Sequence, residues 1–348
     1  MKYLLITILF LAVSALTGCA GGGSGSSTGG IFKSEDGGRS FESHNIIDED
    51  STIGRSDVLS IAVDPSNNDV IYIGTAKDDF FISVDGSDTW TKGAAQLVGI
   101  RNIVVNPFNT QTIYMSGMHE GRGSVVRSVD GGKEWKRVYV EPQDGTNITA
   151  VVVSPINGDM IYIGTSGGTI ARTLNAGDSW ENLYHAQQGV NELLIDAGDI
   201  NTLYALIDGR DVVKSRDDGV TFESVRDLER DYETEKLYEG TLYSMTVSPS
   251  VSGVVIVGTD KGVFRSENYG QSWIPVDVIA STIGIPIHAI EINPHNSNQL
   301  VYAAAKAVYT SVNDSWAITD TTSNRTVDVI AHDPVNSNVV YLGLKKVK

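Results

Sequence analysis

All five tryptophans of this chain, Trp90, Trp135, Trp180, Trp273 and Trp316, close copies of one short motif, so the sequence is first of all a repeat array. The motif reads Ser-x-Asp-x-Gly-x-Ser/Thr-aromatic. Its copies begin at Ser34, Ser83, Ser128, Thr173, Ser215, Ser266 and Ser311, 42 to 51 residues apart, and the two copies without Trp end in Phe41 and Phe222. A period of this size belongs to radial or solenoid arrays of small sheets.

Between the boxes the repeat continues. An alternating strand ends at Asp64-Pro65, Asn106-Pro107, Ser154-Pro155, Asp196-Ala197, Ser248-Pro249, Asn293-Pro294 and Asp333-Pro334. Proline cannot donate to a sheet ladder, so these dipeptides stop the strand, and turn formers such as Ser66-Asn67-Asn68 follow. A β-branched and aromatic run such as Ile71-Tyr72-Ile73 makes a second strand. A third leads into the box and a fourth leaves it. Four short antiparallel strands per repeat, each repeat needing neighbours to cover its faces, predict an all-β, seven-bladed propeller. The last repeat, from Thr326, supplies only two strands, and Ile31-Phe32-Lys33-Ser34 with its box supplies the other half. The ring is therefore expected to close by pairing its two ends in one blade.

The box residues suit a hairpin turn. The Ser hydroxyl and the carboxylates of Asp36, Asp85, Asp130 and Asp217 accept from backbone N–H groups, and Asn175, Asn268 and Asn313 accept through their amide oxygens. Glycine supplies a positive φ. Ser87 replaces that glycine and the last box is two residues short, so these two turns are expected to be the least regular. One acidic group per box, already occupied by its own turn, argues against calcium, which takes six to eight oxygens. No metal or cofactor is expected.

The chain starts with Lys2, the apolar run from Tyr3 to Val13 and Leu16-Thr17-Gly18-Cys19, a run too short to span a bilayer as a helix. Leu-x-Gly-Cys resembles the lipobox of bacterial lipoproteins. The resemblance implies a signal peptide over 1–18, lipidation of Cys19, and a Gly/Ser-rich linker over 19–30 before a single propeller over 31–348. In that class Asp after the cysteine favours inner-membrane retention. Ala20 here points instead to the outer membrane or cell surface of a bacterial envelope, with the lipid as membrane partner. The alternative is a signal cleaved elsewhere and a stray thiol. Cys19 is the only cysteine, so no disulfide framework is available. With 43 acidic and 26 basic residues, nucleic acid is not an expected partner.

The box array resembles the Asp-box, or BNR, repeat family, and Gly258 to Ser266 resembles the seven-bladed propellers of photosystem II stability and assembly factors. Sialidases, xyloglucanases and sortilin-type receptors carry the same box. Sialidases resembling it have six blades and an Arg-Ile-Pro segment that this sequence lacks. In xyloglucanase-like enzymes Thr-Asp-x-Gly carries a catalytic Asp, which places Asp260 of Thr259-Asp260-Lys261-Gly262 as the one carry-over candidate. Asp78-Asp79 lies in the equivalent loop of an earlier blade. A glycosidase also needs a second carboxyl group about 5 to 10 Å away, and these repeats make one propeller with no facing wall. Asp260 reads more readily as a loop carboxylate at a strand end than as a catalytic group. The histidines show no ligand spacing.

A basic residue precedes the box in five repeats: Lys33, Arg127, Arg172, Lys214 and Arg265. Repeat symmetry puts them on one circle. They are expected either to engage an acidic segment of a partner, as the resemblance to assembly factors implies, or to neutralise a box Asp or a neighbouring blade. The segment 226–239 interrupts the rhythm and reads as a rim loop or a solvated linker. The whole describes a non-catalytic protein- or glycan-binding scaffold at the envelope, with an envelope glycoside hydrolase as the alternative.

Overall fold

The computed structural model describes residues 29–225, 237, 239–277, 284–312 and 315–347. Seven four-stranded antiparallel sheets are found among them. Blades 1 to 6 span 58–92, 98–140, 148–185, 190–224, 242–275 and 287–320, each running in chain order from the channel outwards. Blade 7 is composite. Thr326–His332 and Val340–Lys345 form its inner half, Gly30–Ser34 and Glu42–Ser43 its outer half. The seam registers Ile31 on Gly343 and Ser34 on Val340. The seven-bladed ring closed by its own ends is thus the observed architecture.

The core lies between blades, because a twisted four-stranded sheet is apolar on both faces and a propeller stacks those faces. Each second strand has a fully buried run of five residues, which is the whole strand in Ile71–Thr75, Leu203–Ile207 and Val255–Thr259. Trp273 is buried among Tyr204, Leu206 and Val212 of blade 4 and Val255 and Val257 of its own blade. Leu237, the one described apolar residue of the interrupting segment, is buried there too. Residues 226–236 and 238 of that segment lie outside the described residues, as do 1–28 with Cys19. Two residues expected in the linker belong to the fold: Gly30 opens the seam strand opposite Leu344, and the Gly29 N–H donates to Gly54 O at 2.7 Å.

Six of the box turns share the same two hydrogen bonds. In the first, Ser34 Oγ accepts from Gly38 N (2.8 Å), and Asp36 Oδ1 accepts from Arg39 N and Ser40 N (both 2.9 Å). Asn175 and Asn268 accept from Ser179 N and Ser272 N at 2.9 Å. The second box departs from expectation. Ser87 takes φ 79° and its N–H still reaches Ser83 Oγ at 2.9 Å, so the turn keeps the regular pattern with serine at the position where the other regular boxes have glycine. Its hydroxyl is 3.1 Å from His44 Nδ1, a contact glycine would forgo. The short last box behaves differently, with Ser311 Oγ donating to Asn298 O at 3.3 Å; Asn313 lies outside the described residues.

Candidate functional site: the mouth of the central channel

The innermost strands, Val58–Val63, Val98–Val105, Ile148–Ser154, Val190–Ile195, Leu242–Val247, Ile287–Asn293 and Thr326–His332, surround a cavity of about 630 Å³. Each carries a bulge against its second strand, and the bulges recur at one place. Register slips between Val58 and Ser60, Ile148 and Ala150, Val190 and Glu192, Leu242 and Ser244, Ile287 and Ala289, and Val327 and Val329. In blade 2 the slip is longer, from Val98 to Asn102. A bulge leaves a residue unpaired and re-aims its side chain. Here those residues are Leu59, Arg101, Thr149, Asn191, Tyr243, His288 and Asp328, and all seven line the channel. The residue before each, Val58, Ile100, Ile148, Val190, Leu242, Ile287 and Val327, is buried between blades. An apolar anchor followed by a released residue thus builds one ring of seven side chains, each of different chemistry.

Neighbouring blades are tied together just beneath this ring. Ser60 Oγ donates to Ile100 O (3.0 Å), Asn102 Nδ2 to Thr149 O (3.0 Å) and Ser244 Oγ to Ile287 O (2.7 Å). Glu192 occupies the same place in blade 4 but accepts, from Met245 N at 2.7 Å. Glu291, from the other side, hydrogen-bonds Thr246. Two carboxyl groups therefore flank the inner strand of blade 5. Both are partly accessible from the channel, yet desolvation by its walls pushes each up to about 8; the Met245 N–H opposes this at Glu192 and the charge of Glu291 adds to it. At the mouth, Tyr243 and His288 meet edge to face, 4.9 Å between centroids at 74°. Desolvation lowers His288, with Asp328 opposing and Lys345 adding. Lys345 Nζ pairs with Asp328 at 3.2 Å.

The other sequence candidates sit elsewhere. Asp260 Oδ1 accepts from Thr241 N at 2.9 Å and the residue does not line the channel. Asp78 accepts from Ser56 Oγ (2.8 Å), while Asp79, at φ 68°, accepts from the N–H groups of Ala95 and Gln96. The five basic residues before the boxes share one geometry. Lys33 donates to Gly86 O (3.2 Å), Arg127 to Ala176 O (2.7 Å), Arg172 to Asp218 O (3.1 Å), Lys214 to Tyr269 O (3.0 Å) and Arg265 to Ser297 O (2.8 Å). The first four acceptors are one equivalent carbonyl in the box turn of the next blade. Lys33, Arg172, Lys214 and Arg265 also meet Glu35, Glu181, Glu223 and Glu267. Lys214 is 1% exposed, and burial lowers its pKa. The circle is real, and its polar atoms clamp blade to blade. Among the described residues no group of three or more His, Cys, Asp or Glu is arranged to hold a metal ion.

Sequence reasoning missed the bulge ring and the channel glutamates. A signal was present: six residues before each strand-ending Pro or Ala, in register after an apolar residue, the repeats stop resembling one another.

No family model matches the chain. It is 30% identical over 141 residues to an oligoxyloglucan-reducing end-specific xyloglucanase of Emericella nidulans, a match covering 35% of this chain and 17% of the fungal protein. The GH74 xyloglucanase of Xanthomonas campestris superposes at TM-score 0.68 with 16% identity, over 83% of this chain and 51% of that one. YCF48 from Cyanidioschyzon merolae superposes at 0.59 with 13% identity, over 83% of this chain and 95% of that one. The matches thus span under a fifth of the fungal relative and half of the bacterial enzyme, and at these identities the solved structures establish the fold alone.

Proposed function

We propose that this chain is a non-catalytic binding scaffold of the Asp-box type that takes a protein or glycan ligand at the channel mouth, held at a bacterial cell envelope through lipid on Cys19. One observation carries the reading. Around a frame repeated closely from blade to blade, the seven bulge residues alone present seven different side chains to one cavity, and loops and bulges held on a rigid scaffold are where recognition concentrates. The location agrees with a tether. Gly29 and Gly30, from which the chain leads back to Cys19, lie at the end of blade 7 where Thr326 pairs with Lys345, the mouth end of the inner strand. A Gly/Ser linker of this length reaches roughly 15–20 Å on root-mean-square average, which would hold the mouth near the membrane surface.

The similarity to xyloglucanases keeps an envelope glycoside hydrolase as the second reading. The two channel carboxyls argue against it. Hydrolysis uses one protonated and one ionised carboxyl group, whereas Glu192 and Glu291 are both shifted upward by desolvation, so their surroundings do not split them into an acid and a base. Asp260, the carry-over candidate, is engaged by Thr241. The test is affinity capture from native envelopes with the wild type and with Asn191→Ala/Tyr243→Ala, run beside a polysaccharide hydrolysis screen. Capture lost in the double variant supports the reading. Undiminished capture, or turnover abolished by Asp260→Asn, overturns it.

A further inference from the structure

We infer that the channel mouth binds an acidic oligosaccharide, one bearing a uronate carboxylate that pairs with Arg101. The inference rests on the mouth being the ligand-contact surface. Its starting point is a charge without a counter-charge. Of the two charged groups in the bulge ring, Asp328 is neutralised by Lys345, at 3.2 and 3.3 Å from its two carboxylate oxygens. Arg101 has no hydrogen bond, ion pair or ring contact among the described residues, although it lines the same cavity. A guanidinium offers a planar fork of N–H donors that matches a carboxylate in two parallel bonds.

The neighbours of Arg101 decide what carries the carboxylate. Around the ring from blade 2 to blade 6 stand Arg101, Thr149, Asn191, Tyr243 and His288. Asn191 has no hydrogen-bond partner among the described residues, so its amide offers a donor and an acceptor to ligand hydroxyls. Tyr243 is met at an edge by His288, 74° between planes, and the rings are not stacked on each other. An aromatic face suits the C–H face of a sugar ring. The arc thus supplies a carboxylate anchor, a hydroxyl reader and a stacking platform in three different blades, which a single sugar cannot bridge and a short chain of them can. The cavity of about 630 Å³ lies within the ~300–1,000 Å³ usual for small-ligand sites. A peptide C-terminus would also meet Arg101, but it anchors through apolar side chains or strand addition. The ring's aliphatic member, Leu59, lies beyond Arg101 from this arc, and the inner strands are paired on their outer side to the second strands and shielded by one another across the channel.

Calorimetric titration of the full chain with trisaccharides of galacturonate and mannuronate, their methyl esters, and a peptide ending in a free carboxylate tests this. The expected result is binding of at least one acidic trisaccharide, weakened tenfold or more by esterification, by Arg101→Gln or by Tyr243→Ala, and unchanged by Lys133→Gln on a box turn. Arg101 is exposed and without partners, so Arg101→Gln is expected to melt like wild type. Equal binding of ester and acid, insensitivity to Arg101→Gln, failure of every acidic trisaccharide, or preference for the peptide overturns the inference. If the acidic sugars fail while envelope capture still depends on Asn191 and Tyr243, only this inference falls and the mouth remains the binding surface.

Discussion

Arg325 closes the ring on the side where the two chain ends meet, and its removal gives a quantitative test of that closure. It stands just before the inner strand of blade 7 and is 1% exposed. Its Nη1 donates to Ser56 O (2.8 Å) and Asp57 Oδ1 (2.7 Å), and its Nη2 to Arg55 O (2.9 Å), all in the segment leading into blade 1. Gly29 packs on its guanidinium, where a Cβ would come within 2.5 Å of Cζ. One side chain therefore joins blade 7, blade 1 and the start of the seam. Breaking a buried ion pair by removing one partner costs about 3–5 kcal/mol. Asp57 is 28% exposed and keeps the Lys346 N–H at 2.9 Å, so Arg325→Met is expected near the lower limit, about 3 kcal/mol. At about 2.1 cal/mol/K per residue, a domain of roughly 300 residues then melts ~5 °C lower. Urea unfolding followed by tryptophan fluorescence measures the loss, and hydrogen exchange locates it. Amides of Ile31 to Ser34 and Val340 to Leu344 are expected to exchange faster while those of blades 3 and 4 do not. A loss under about 0.5 kcal/mol, within the range of an ordinary surface change, with unaltered seam exchange, would refute the latch.

The box carboxylates and the channel carboxyls predict opposite limbs of a pH–stability curve. Asp36 is held down at about 2, with burial opposed and outweighed by hydrogen bonds from Ser40, Ser34 and Arg39, and Asp85, Asp130 and Asp217 are lowered likewise; this contribution is present above about pH 4 and lost as pH falls towards 2. Glu192 and Glu291, raised from 4.5 to about 8, favour the fold fully below pH 4.5, and the advantage is lost as pH climbs through 8. Thermal melts from pH 3 to 9 are therefore expected to peak near about pH 4.5, and Glu192→Gln/Glu291→Gln to flatten the alkaline limb; an unchanged alkaline slope would remove the channel carboxyls as its cause. Arg127→Met and Arg172→Met are each expected to cost about 1.5–3 kcal/mol, the worth of a hydrogen bond from a charged group, while leaving ligand capture intact; capture lost at full stability would make them contact residues instead. Trp273→Ala, at a fully buried site between blades 4 and 5, is expected to cost about 3–5 kcal/mol by denaturant titration.

The fold was legible because its sequence signals belong to groups with no freedom. The strand-ending prolines and the Ser and Asp of each box act within their own repeat, and the box aromatic, although it packs against the neighbouring blade, recurs at a fixed place after them, so a single chain read along its length displays them. What acts between repeats was hidden. Nothing in the order of residues says that the side chain before one box reaches the backbone carbonyl of the next box, which is why the sequence leaves Lys214 open between a partner's acidic segment and a neighbouring blade, and only the structure shows it buried with its Nζ 3.0 Å from Tyr269 O. Ser87 was misjudged for a related reason. Positive φ is costly for serine in isolation, but the Ser83 hydroxyl and His44 hold it there from two sides.

The same division explains why an array with such obvious repeats displays its function so poorly. A motif that recurs in every blade is under the same physical demand in every blade, and the demand common to all seven is to turn a hairpin or cover a neighbour. A ligand makes no such symmetric demand, since it meets each blade from a different angle. Recognition must then reside where homologous positions diverge while their surroundings remain constant. The bulge satisfies that condition on the inner strands, because the apolar residue before it is sealed between blades and the released residue falls outside the register with the second strand; Thr149, whose hydroxyl donates to Gly164 O and Val190 O, is the member tied back to the frame. Replacing one bulge residue by another from the ring, such as Tyr243→Asn, is therefore expected to change the ligand profile with a stability cost under about 0.5 kcal/mol, as for other substitutions away from the core. The same exchange one position earlier, Leu242→Asn, puts an amide at a site 1% exposed, where burial of an unsatisfied polar group costs roughly 1–3 kcal/mol. Equal stability losses at the two positions would show that the bulges are part of the frame and not a place where it has been opened.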